Sequence, residues 1–298
     1  MAQKRGSSQR RPQRRASGPV YVAPVLDPTW QSPYNATSDE REERDNALRR
    51  AATRRATVIG SLGVAAAIAL AVVGPVFIGL AIALVSGLAV VAVLRRSARH
   101  VDGALDLAAR LITRFEVGGT PHDRLRLSTI AERLSATFGM DAVTCMVVRD
   151  ATPNAALLMD RNGYSLLMTT GMMDDAELIE LEGVVAHCMA RQRLGYLQLS
   201  AAAAHGIDST GRRLFDKLCP DFAFRADEVA SAAIRYPVGL AGALRRSESA
   251  TVPSGSYFAS DAFRAERVVW FDPYVDGRDV EAGDRNVASV RAAALEEW

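Results

Sequence analysis

Apolar and polar positions along this 298-residue chain fall into three regimes. Residues 1–36 carry neither helical nor strand periodicity and are rich in Arg, Gln, Ser and Pro, which predicts a disordered basic arm over 1–37. From Thr37 a helical pattern begins. Thr37 and Glu40 match a capping box, and Glu40/Arg44 and Asp45/Arg49 are spaced i to i+4 with the acidic residue leading. An amphipathic helix from about residue 38 then enters Ala56–Leu94, 39 residues without a charged side chain. One helix of that length would reach about 58 Å, roughly twice the hydrocarbon thickness of a bilayer. Gly74-Pro75 divides the stretch, because proline lacks an amide donor and disfavours helix at the residue before it. The reading for 38–99 is therefore a helix leading into a two-helix transmembrane hairpin, with spans at about 56–73 and 76–94.

Beyond residue 99 the periods shorten. Residues 100–116 and 122–138 show helical spacing, as in Leu127, Ile130, Leu134 and Phe138. Val143–Val148, Ala155–Met159 and Tyr164–Thr169 read as strands, the last two joined by Asp160-Arg161-Asn162-Gly163. A long helix should run from Asp174 or Asp175 to about Leu194, with two more at 221–235 and 236–247. The apolar run Leu197–Ala204 has only eight residues, too short to span a bilayer, so the count of spans stays at two. The fold class is α+β: a transmembrane hairpin, then a mainly helical domain with a small β-sheet over 100–298.

Composition sharpens this picture. With 49% apolar and 23% charged residues the chain is not disordered throughout, and three cysteines are too few and too odd in number for a disulfide scaffold. The net charge of +2 conceals 12 basic and 6 acidic groups in 1–55 against 21 and 28 in 100–298. Arg54 and Arg55 flank the apolar stretch on entry, Arg95, Arg96 and Arg99 on exit, and the turn carries no charge. The positive-inside rule places both termini in the cytoplasm, and the apolar run starts too late and is too long for a cleavable signal peptide. The arm's Lys4, Arg5, Arg10, Arg11, Arg14 and Arg15 suit anionic headgroups or nucleic acid, but read best as a solvated, topology-setting tail with no specific nucleic-acid partner. Tyr21, Trp30 and Tyr34 among prolines form either a docking segment or a linker. Gly63, Ala67 and Ala71, and Gly79, Ala83 and Gly87, are small residues at fourfold spacing that let helices approach closely.

Six fragments in order resemble the HtpX-type membrane zinc metallopeptidases: the hairpin, the helix and strand after it, Pro153-Asn154-Ala155, Thr170-Gly171-Met172-Met173, Glu180-Leu181-Glu182-Gly183-Val184-Val185-Ala186-His187, and Ala223-Phe224-Arg225-Ala226-Asp227. The resemblance covers most of 56–250. It implies a metallopeptidase-like (zincin) domain, a bacterial inner-membrane location and a site built around an H-E-x-x-H helix. Two histidines at i and i+4 share a helix face and bind zinc, the intervening glutamate is the general base, and a later glutamate completes the ligands.

Here that segment reads His187-Cys188-Met189-Ala190-Arg191. His187 is kept. Cys188 stands at the base position, Arg191 at the second ligand position and Ala223 at the third, with Asp227 closing the later motif. One imidazole does not hold zinc, a guanidinium repels it, and a thiol is not a carboxylate base. His100, His122, His205, Cys145 and Cys219 have no ligand spacing among themselves, and no phosphate-binding glycine loop is present. In the C-terminal part Val268–Pro273 looks like a family strand and turn. Gly283–Val290 replaces the family's His-Pro-Pro segment, after which the family carries an arginine.

The expectation is a catalytically inactive member, a pseudoenzyme without metal or cofactor. It would act as a protein-binding or accessory subunit of a membrane assembly, its partners being the lipid bilayer and membrane proteins. Two other readings stand beside it. One is an active zinc-dependent membrane endopeptidase with a rearranged metal site; the other is a purely structural membrane-complex subunit.

Overall fold

A computed structural model describes residues 34–74, 76–174, 176–205 and 209–298. The basic arm, the Tyr21/Trp30 segment and Pro75 lie outside the described residues. The end of the expected arm does not float free. Tyr34 meets Trp298 edge to face with centroids 5.5 Å apart, Ala36 packs on the core, and Arg225 donates to the carbonyls of Tyr34 and Asn35.

Helix α1 (Ser38–Val73) starts at the expected capping box: Glu40 N–H donates to Thr37 Oγ1, and Thr37 N–H to the Glu40 carboxylate. Its first turns lie on the folded body. Ala47 and Leu48 join the core, and the buried Arg44 donates to the Leu194 and Leu218 carbonyls at 2.8 and 3.1 Å. Helix α2 (Val76–Arg114) continues without a break past residue 99, so the expected boundary at 99/100 falls inside a helix. Leu107, Ala108 and Leu111 near its end are core residues. A helix needs no change of backbone to pass from lipid-like to protein-like surroundings, only a change in which side chains it carries.

Both helices are long and apolar enough to cross a membrane, and they pack antiparallel. Their apolar parts are bare: Leu62, Ile68, Leu80, Leu84 and Leu88 are each at least 60% exposed. A surface that apolar requires a cover of lipid or protein. The two helices touch through small residues. A methyl at Gly63 would lie 2.0 Å from Ser86 Oγ, and one at Gly79 would lie 2.8 Å from the Ala67 carbonyl, whereas Gly87 points into open space. Gly79 thus serves the hairpin itself, and Gly87 is turned away from it.

Helix α3 (Pro121–Phe138) follows, then β1 (Val143–Val148), β2 (Ala155–Asp160) and β3 (Gly163–Thr169). The sheet order is β1-β3-β2, with β1 parallel and β2 antiparallel to β3. Leu166, Leu167 and Met168 are all buried although neighbours on a strand point to opposite faces, so the sheet is covered on both sides. A short helix α4 (Thr170–Met173) caps β3 through Thr169 Oγ1, and Gly171 approaches Ala151 so closely that a methyl would lie 2.0 Å from its carbonyl oxygen.

The rest is helical: α5 (Leu178–Arg193), α6 (Leu197–His205), α7 (Ser209–Leu218), α8 (Phe222–Ile234), α9 (Pro237–Ser249), α10 (Asp261–Glu266) and α11 (Ala288–Glu296). The short, mostly apolar run from Leu197 forms buried α6. Val268–Pro273, expected as a strand, instead leaves a single helical turn and runs extended, giving one bond from Phe271 N–H to the Ala155 carbonyl. That bond closes the outer edge of the sheet at the start of β2.

Candidate functional site

Helix α5 is the centre of the molecule. It packs on α8, α9 and α3, and Val184 through Ala190 are all buried. Gly183 makes the α9 contact possible, since a methyl there would lie 2.8 Å from the Leu240 backbone. Glu180 caps the helix start by accepting from the Glu177 amide at 2.9 Å and is paired with Arg246. The acidic helix start read from the sequence is thus a cap and an anchor.

His187 is fully buried. Its Nδ1 lies 2.6 Å from Asp227 Oδ1 on α8, and its ring meets Phe271 edge to face at 5.0 Å. Asp227 is shared. Arg291, from α11, donates through Nε to Asp227 Oδ2 at 2.6 Å and through Nη2 to Oδ1 at 2.9 Å, and its Nη1 reaches the Phe271 carbonyl at 2.8 Å. Asp227 is 2% exposed and Arg291 is fully buried. A buried two-pronged ion pair with each hydrogen-bond direction used is the arrangement in which a buried charge persists.

Arg191, one turn after His187, is 1% exposed. Its Nη1 donates to the Trp270 carbonyl at 3.1 Å, its Nη2 to the Val268 carbonyl, and its guanidinium stacks on Phe222 at 5.4 Å. Burial pulls its pKa down to about 10, still well above neutrality, so the cation persists. Ala223 is fully buried, and its amide donates to Asn286 Oδ1 at 2.9 Å. Cys188 is buried too, with its thiol pushed up to about 12 by burial. Four of the five motif positions, His187, Arg191, Ala223 and Asp227, converge between α5, α8 and the chain at 268–272.

The electrostatics of the cluster are one-sided. Burial, with Arg291 and Arg191 nearby, drives His187 down to about 4 despite Asp227, so the imidazole is neutral at pH 7. Burial works against ionised Asp227, but Arg291 and His187 hold its pKa below the usual carboxylate value. With Nδ1 directed at Asp227, Nε2 of His187 is the remaining nitrogen, buried without a hydrogen-bond partner among the described residues. As a donor set for zinc these residues do not fit: one imidazole nitrogen, a high-pKa thiol, a methyl and a guanidinium supply neither three ligands nor a base. Among the described residues no group of three His, Cys, Asp or Glu side chains is placed to hold a metal. His205 and Cys219 are apart from the cluster in role: His205 Nδ1 pairs with Arg110 at 2.5 Å, and Cys219 is a buried core thiol.

Asn154 explains why Pro153-Asn154-Ala155 stands where it does. Its side chain accepts from the Asp272 and Ala155 amides at 3.0 and 2.9 Å and donates to the Asp272 carbonyl at 2.9 Å, clamping the C-terminal segment to the start of β2. Arg291 escaped the sequence reading. It follows directly after Gly283–Val290, the segment after which the resemblance places an arginine, and that was the only available signal. Comparison with family models, with curated proteins and with solved structures finds no match to this chain.

Proposed function

We propose that this chain is a membrane-anchored, catalytically inactive relative of the HtpX-type metallopeptidases, acting as a protein-binding or accessory subunit of a membrane assembly. It is a multi-pass protein of the bacterial inner membrane with both termini cytoplasmic, a placement supported by the bare apolar hairpin and the arginines at its open end. The observation that carries the loss of chemistry is Arg191. A permanent cation sits buried one turn from His187 and is bound to two carbonyls of the chain at 268–270. The position has become a structural pin. Since Phe271 already bonds the outer edge of β2 at Ala155, partner contact belongs on the hairpin rather than beside that strand.

Elemental analysis of protein purified in mild detergent, paired with cleavage of an unfolded membrane substrate, tests this. The expected result is far less than one zinc per chain and no chelator-sensitive cleavage. One tightly held zinc with cleavage abolished by His187→Ala would overturn it. In-membrane cross-linking should capture a defined protein partner, and a chain that cross-links to none would remove the accessory role.

A further inference from the structure

The open end of the hairpin carries a band of arginines that the reading above uses only for orientation. The helix contacts fix its register. Gly60 faces Val90 and Gly63 faces Ser86, so in an antiparallel pair Arg54 and Arg55 of α1 stand level with Arg95 and Arg96 of α2. One turn lower, Arg50 stands level with Arg99. All of these, with Arg49, are exposed. Residues 46–101 include no acidic side chain, and Glu42, one helical turn below the window, pairs with Arg50 at 2.8 Å.

On α1 the residues Arg49, Arg50, Thr53, Arg54, Thr57 and Val58 line one shallow groove. They form two neighbouring rows at fourfold spacing, 49/53/57 and 50/54/58, on one side of the helix. Thr53 and Thr57 spend their hydroxyl protons on the Arg49 and Thr53 carbonyls, so the groove's donors to an anion are its arginines; Arg50 also holds Glu42 at 2.8 Å, an exposed pair that an incoming phosphate would share. The groove is graded. Cationic at Arg49 and Arg50, it becomes apolar at Val58 and continues into exposed Leu62. From Arg49 to Arg55 the helix climbs about 9 Å, comparable with the roughly 5–7 Å of headgroup layer on each side of a bilayer. Arg55 donates to Thr210 Oγ1 at 2.9 Å, which fixes the folded body against the same level.

We infer that this collar is a binding site for an anionic phospholipid, its phosphate held by Arg49, Arg50 and Arg54 and its acyl chains lying along Val58 and Leu62. The inference rests on the membrane-anchored reading above. A zwitterionic lipid fits less well, since its own cation would face the arginines, and free phosphate would leave the apolar end of the groove unused.

Full-length protein in mild detergent, titrated with phosphatidylglycerol or phosphatidylcholine and followed by native mass spectrometry, tests it. Each arginine near an anionic lipid surface raises affinity about fivefold. The wild-type chain should therefore retain phosphatidylglycerol at least tenfold more tightly than phosphatidylcholine, and the R49Q/R50Q/R54Q variant should lose that preference. A control triple variant on the folded body, R124Q/R149Q/R278Q, should keep it. All replaced residues are exposed, so thermal unfolding should be unchanged in both. Equal retention of the two lipids, a preference that survives in R49Q/R50Q/R54Q, or full competition by inorganic phosphate would each overturn the lipid site. Alkaline extraction of native membranes separates the two claims: a chain released by it fails the anchoring reading, whereas a retained chain without lipid preference fails only this one.

Discussion

Asp227 on α8 and Arg291 on α11 meet across 64 residues of sequence in a two-pronged pair of 2.6 and 2.9 Å, both side chains buried. Removing one partner leaves an uncompensated buried charge, which costs about 3–5 kcal/mol, whereas replacing both with apolar groups is often close to neutral. Asp227→Asn should therefore lower the unfolding free energy by that amount, and Asp227→Leu combined with Arg291→Met should recover most of it. Denaturant titration in mild detergent measures both. A harmless single substitution would show that the pair is not what joins α8 to α11.

His187 makes stability depend on pH in a defined direction. Its folded pKa is about 4 against an ordinary 6.5, so between those values the unfolded chain binds a proton that the folded chain refuses. Stability should thus be complete above about pH 7, fall as pH drops toward 4, and lose about 3 kcal/mol from this group. Asp227, held below the usual carboxylate value, adds a further loss at still lower pH. Melting curves from pH 7.5 to 4 should show the decline, and His187→Gln should flatten it. A wild-type curve that is flat over this range would mean the imidazole is not buried as described.

Cys188 separates a buried thiol from a nucleophile. Its pKa of about 12 and that of Cys219, also about 12, both raised by burial, leave almost no thiolate at pH 8. Alkylation of the folded chain should spare both residues, and full labelling of three thiols should require denaturant. Fast, stoichiometric modification of native Cys188 would contradict its burial.

Gly63 and Gly87 should respond differently to bulk. Gly63→Leu drives a side chain into Ser86 and should push α1 and α2 apart, while Gly87→Ala meets nothing within 4 Å and should be tolerated. A cysteine pair at positions 60 and 90 reports the separation, because Gly60 packs directly on Val90. Disulfide yield should drop sharply in Gly63→Leu and hold in Gly87→Ala. Equal yields would show that the small residues do not set the hairpin.

The elements themselves were largely legible. The capping box at Thr37, the three strands, α3, α8 and α9 lie within two residues of where periodicity and turn chemistry put them. The misses have physical reasons. Residues 100–116 read as a separate helix because the charge pattern changes at Arg95, yet backbone hydrogen bonding runs through that change and stops at Arg114. Helix α7 escaped notice because its apolar residues are few, Leu214, Phe215 and Leu218 among charges. The 268–273 segment looks like a strand because β-branched and aromatic residues favour one, but its amides and carbonyls are taken by Asn154, Arg191 and Arg291 instead of a ladder.

The sequence by itself determined two apolar stretches long enough to cross a membrane, the arginines at their open end and the side chains carried at 187, 188, 191 and 223. These are local properties: hydrophobic length, charge and side-chain chemistry are fixed wherever the chain goes. Only the tertiary structure decided what those side chains do. Whether a buried arginine is a strained defect or a pin depends on which carbonyls stand opposite it. For Arg191 those are Val268 and Trp270, and for Arg291 they are Phe271 together with the Asp227 carboxylate. Partners separated by 20 to 79 residues leave no period in a sequence, so that part of the answer had to come from the packing.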